Sequence, residues 1–125
     1  MVHVTAFFAG ILAFLYIGLA GYVIMKRYGL KLLVGDGGDA DMTRRIRAHA
    51  NFAEWVPFAL LLMGLDEING MSQHKLILLG TALVLGRISH ALSILKLEPR
   101  IFYFRSIGMV ATFSVIIILA VAAIF

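Results

Sequence analysis

The sequence predicts an all-α integral membrane protein of four transmembrane helices. Of its 125 residues, 62% are hydrophobic and 14% charged, and the mean hydropathy is +0.97, a composition outside the range of soluble domains. Apolar runs recur at lengths near the roughly 20 residues that carry a helix across about 30 Å of hydrocarbon. The charged residues gather mostly between these runs.

The first run, residues 4–25, predicts a helix over about 4–27. No Lys or Arg precedes it and no small-residue cleavage site ends it cleanly, so it reads as a retained span and not a cleaved signal. Gly10, Gly18 and Gly21, with Ala6, Ala9, Ala13 and Ala20, give it small faces for close helix packing. In the connection VGDGGDAD, glycines 35, 37 and 38 permit positive φ, and Asp36, Asp39 and Asp41 can cap the next helix. It lacks the Gly-Lys-Ser/Thr of a P-loop.

The second run, residues 52–65, spans only if its helix starts near Met42 or Thr43, giving a helix over about 43–65. That extension carries Arg47, His49, Asn51 and Glu54 to membrane depth. Pro57 removes a backbone donor inside the helix and bends it. The polar turn from Asp66 to Gly70 follows. A third helix is expected over about 74–95, a connection with Pro99 comes next, and a fourth helix runs over about 105–125. The whole chain, 1–125, reads as one domain.

Lys26, Arg27, Lys31, Arg44 and Arg45 flank the first connection, and Lys96, Arg100 and Arg105 the third. The second holds Asp66, Glu67 and Lys75. By the positive-inside rule the first and third connections are cytoplasmic and both termini lie on the far side of the membrane. Topology thus accounts for the net charge of +4, and no nucleic-acid-reading motif accompanies it. Cysteine is absent, which removes disulfides, thiolate nucleophiles and Cys-ligated metals. Any thiol chemistry has to arrive with a ligand.

Arg44, Arg47, Asn51, Glu54 and Phe58 follow steps of three and four and so share a helical stripe. Arg87 and His90 share a face of the third helix. Counted from the same membrane surface, Glu54 lies roughly 16 Å deep and Arg87 roughly 12 Å, so the two can meet. A charge at mid-bilayer costs about 3 kcal/mol even on the lenient insertion scale. Pairing of Glu54 with Arg87 or Arg47 lowers that cost and could serve structure alone. The surplus of arginine leaves guanidinium donors for an anionic ligand. His49 and His90 lack a patterned third ligand and read as hydrogen-bonding groups, so no metal is expected.

The string Arg44-x-x-Arg47-Ala48-His49-x-Asn51-x-x-Glu54-x-x-Pro57 resembles the signature of the MAPEG family, the membrane-associated proteins in eicosanoid and glutathione metabolism. Gly86-Arg87-x-x-His90 and Arg105-Ser106 resemble that family's later motifs, and the likeness covers nearly the whole chain. The GDGG loop and Gly108-Met109-x-Ala111-Thr112 look most like its small bacterial inner-membrane members. The resemblance implies a left-handed four-helix bundle assembled as a homotrimer, with glutathione as co-substrate in clefts between subunits. Arg44, Arg47, Asn51, Glu54, Arg87 and His90 would then hold glutathione, with Trp55 as a neighbouring aromatic. Arg105, or Arg100 in its place, would stabilise the thiolate together with Ser106. One departure is Ile94, where active relatives carry an aromatic hydroxyl.

The implied activity is a glutathione transferase or peroxidase acting on lipophilic electrophiles that arrive through the bilayer. The alternative is a non-catalytic ligand-binding or scaffold protein of the same fold. A proton-coupled multidrug exporter fits less well, because such exporters carry an acid on the first helix and residues 4–25 hold none.

Overall fold

A computed structural model describes residues 1–95 and 102–125; Lys96, Pro99 and Arg100 lie outside the described residues. Four helices follow in order, α1 (His3–Leu30), α2 (Ala40–Ile68), α3 (Gln73–Leu95) and α4 (Phe102–Ile124). Among the described residues there is no strand. α1, α3 and α4 are each long and apolar enough to cross a membrane. α2 is 29 residues long but falls short on composition, because His49, Asn51, Glu54 and the charges around them dilute its apolar run.

Local chemistry explains where these helices begin and end. α2 starts at Ala40, before the expected Thr43, because the Asp39 carboxylate accepts the Met42 N–H at 2.7 Å and caps the first turn. α1 runs on to Leu30 and stops where Lys31 turns left-handed at φ 55, with the Leu32 N–H donating to the Arg27 carbonyl at 3.0 Å. At the other end of the bundle, Glu67 accepts the backbone N–H groups of Val4 and Thr5 at 2.8 Å each. A carboxylate from the end of α2 thereby satisfies the orphan donors that open α1 and faces the positive end of its dipole.

The core is a seam of apolar side chains from all four helices, among them Leu12 of α1, Phe52 and Val56 of α2, Leu83 of α3 and Leu119 of α4. α3 and α4 approach backbone to backbone: a Cβ on Gly108 would sit 2.5 Å from the Gly86 carbonyl oxygen and 2.9 Å from the His90 Cβ. Gly80 is likewise closed over by the Phe8 ring. By contrast, Gly10, Gly18 and Gly21, expected to pack against a neighbouring helix, meet nothing within 4 Å. The small face of α1 points out of the chain.

Candidate functional site

The phase of α2 decides which of its polar residues face inward. Ala48, Phe52, Val56, Ala59 and Met63 form its buried stripe. At about 100° per residue, Glu54 falls roughly 160° around the helix from Phe52, and Arg47 roughly 140°. Both are exposed. Asn51 and Arg44 lie nearer the stripe's edge and are half-buried.

This phase overturns the expected meeting of Glu54 and Arg87. Arg87, 1% exposed, donates from Nη1 to the Asn51 Oδ1 at 2.8 Å, with longer Nη2 contacts of 3.5 Å to the Gly108 carbonyl and the Met109 sulfur. Its Nε finds no partner. Among the described residues Glu54 makes no ion pair, and neither does Arg47. The partner of Arg87 is an amide carbonyl, so its charge is solvated but not cancelled.

A pocket of about 190 Å³ opens beside this pair, lined by Thr43, Arg44, Arg47 and Asn51 of α2, His90 and Ile94 of α3, and Arg105 of α4. Five of the residues singled out from the sequence are thus brought together: Arg44, Arg47, Asn51, His90 and Arg105. The α3–α4 contact sets the last two against one another, since Ser89 Oγ donates to the Phe104 carbonyl at 2.9 Å one residue before Arg105. Four expected residues are not on the wall. Arg87 lies buried behind Asn51, Glu54 faces outward, and Ser106 is exposed on α4. Trp55 packs edge-on against Phe113, with ring centroids 4.8 Å apart. Arg100, the substitute for Arg105, lies outside the described residues.

Among the described residues no carboxylate lines the pocket. Of its three cations, Arg44 is engaged by Asp41, Nη2 to Oδ1 at 3.3 Å, while Arg47 and Arg105 have no acidic partner among the described residues. The sequence reading missed the role of Asp41, which also holds Arg45 at 3.0 Å and Lys26 at 3.3 Å. The signal was present as the i,i+3 and i,i+4 spacing from Asp41 to Arg44 and Arg45. His49 stacks on Tyr16 at 4.7 Å, away from the pocket wall. Among the described residues no cluster of three metal-ligating side chains forms.

Three helices of membrane length and a cation-lined pocket at one end of a charged helix define a helical membrane protein. The chain belongs to the MAPEG family, which it matches over residues 5–125. It is similar to the inner membrane protein YecN of Escherichia coli strain K12, 30% identical over 119 residues that cover 95% of this chain and 88% of that protein. The YecN protein of Escherichia coli O6:H1 strain CFT073 matches to the same extent. No solved structure matches.

Proposed function

We propose that the protein binds glutathione in the Arg47–Arg105 pocket and presents its thiolate to lipophilic electrophiles, as a membrane glutathione transferase or peroxidase. One observation carries the reading: a pocket wall with two cations unmatched by any acid among the described residues. Such a wall attracts an anion, and family membership favours glutathione among anions. The tripeptide offers two carboxylates to the guanidinium groups in charge-assisted hydrogen bonds. Arg105 beside the sulfur would stabilise the thiolate and raise its fraction at neutral pH.

The outer face of α2 supports assembly. Exposed Glu54 and Arg47 would each cost about 3 kcal/mol against lipid, a cost relieved where a neighbouring copy covers them. In a homotrimer the pocket becomes an intersubunit cleft, and Glu54 can take the glutathione ammonium. The protein resides in the bacterial inner membrane, with both termini on the non-cytoplasmic side.

Ile94 on the pocket wall favours a second reading, a ligand-binding protein of the same fold that does not turn over. Isothermal titration of the detergent-solubilised protein tests binding. The expected result is saturable heat at millimolar glutathione, weakened about tenfold in Arg47→Gln, equivalent to about 1.4 kcal/mol. No heat at that concentration removes the transferase or peroxidase reading. Binding without conjugation or peroxide reduction selects the second.

A further inference from the structure

The basic end of α1 carries another pocket, separate from the one above. The last turns of α1 and the chain that follows enclose about 410 Å³, lined by Ile24, Arg27, Tyr28, Lys31, Leu32 and Leu33. Three of these are aliphatic, one is a tyrosine and two are cations. The local fold holds the wall in place: Leu32 N–H closes back on the Arg27 carbonyl at 3.0 Å, and the Leu32 side chain lies so near Gly37 that a Cβ there would sit 2.8 Å from it.

The acids of the first connection are committed elsewhere. Asp39 and Asp41 each hold Lys26 at 3.3 Å, and Asp41 also takes Arg44 and Arg45. Asp36 accepts from the Thr43 hydroxyl at 2.6 Å and the Gly38 N–H at 3.0 Å. Arg27 uses Nη1 for the Gly35 carbonyl at 2.9 Å, which leaves its other donors open. Lys31 is exposed, and among the described residues neither cation has a carboxylate partner. Around them Tyr28, Leu33 and Val34 are 82%, 95% and 83% exposed, apolar surface that water does not favour at the end of a membrane helix.

A ligand that matches both features has an anionic head and an apolar tail. We propose that this pocket binds an anionic phospholipid, its phosphate on Arg27 and Lys31 and its acyl chain along Ile24, Leu32 and Leu33. Basic residues placed just beyond a membrane helix attract anionic headgroups. A zwitterionic lipid, which carries its own ammonium, gains less from the same two cations.

Native mass spectrometry of the full chain, released from detergent with phosphatidylglycerol or phosphatidylcholine, tests the site. Phosphatidylglycerol should be retained roughly tenfold better, from two cations each contributing to headgroup attraction. Arg27→Gln/Lys31→Gln should bring it down to the phosphatidylcholine level, whereas Lys75→Gln, at the opposite end of the bundle, should not. Should the double variant unfold, Lys31→Gln alone alters an exposed side chain and should still lose several-fold. Equal retention of the two lipids, or unchanged retention in Lys31→Gln, overturns the proposal. So does full displacement by millimolar inorganic phosphate, which would make this a phosphate site.

Discussion

Arg87 on α3 and Asn51 on α2 are joined by a single 2.8 Å hydrogen bond from Nη1 to Oδ1, with the guanidinium buried and no acid beside it. Removing the acceptor in Asn51→Leu leaves a buried charge without its partner. The expected loss is about 1.5–3 kcal/mol, the usual worth of a hydrogen bond to a charged group, read as a lower unfolding midpoint in detergent. Asn51→Asp keeps the acceptor and should stay close to wild-type stability. It adds a negative charge to the pocket wall and should weaken glutathione binding.

The close approach of α3 and α4 predicts that Gly108→Ala is poorly tolerated, since its Cβ would strike the Gly86 carbonyl and His90, neither of which can step aside. Overpacking of this kind costs about 1–3 kcal/mol. Gly10→Ala, which meets nothing within 4 Å, should leave the unfolding midpoint of the single chain nearly unchanged. Equal losses from the two substitutions would contradict the packing described.

The cap at the start of α2 should be acid-sensitive. The Met42 N–H holds the Asp39 carboxyl below its ordinary value, with Lys26 adding to the effect, and the Thr43 hydroxyl does the same for Asp36. A carboxyl lowered in the folded state adds stability that is full above the ordinary carboxylate range and fades as the pH falls through the folded value. Hydrogen exchange at Met42 and Thr43, corrected for intrinsic rate, should accelerate on acidification through that range. In Asp39→Asn exchange at Met42 should depend less on pH.

Ile94 on the pocket wall gives a gain-of-function test. Ile94→Tyr returns a hydroxyl to the position where active relatives carry one, and a single new hydrogen bond of about 0.5–1.5 kcal/mol should tighten glutathione binding roughly two- to tenfold. Calorimetric titration of the two proteins side by side reads the change. Weaker binding in Ile94→Tyr would show that the pocket has no room for the ring.

Much of this architecture is written in local pattern. Hydropathy located the helices, and the steps of three and four from Arg44 through Asn51 placed these side chains on one side of α2. Helical phase relative to the core was harder to read, since it depends on which apolar residues the other helices bury. Phe52 won that competition and turned Glu54 outward, so the expected partner of Arg87 was displaced by Asn51. The Glu67 cap on α1 was not legible either, because it joins residues more than 60 positions apart through tertiary placement alone. The outward direction of the small face of α1 was not legible for the same reason: its glycines signal close packing without naming the partner.

The central claim is that guanidinium groups left unmatched by the chain's own acids activate a bound thiol. It is tested most directly by titrating the solubilised protein with glutathione at neutral pH and following thiolate absorbance in the ultraviolet. The account predicts a saturable thiolate signal in the wild-type protein and its loss in Arg105→Ala, whose exposed side chain can be removed without disturbing the bundle. A wild-type protein that binds glutathione yet shows no thiolate at any concentration would contradict it.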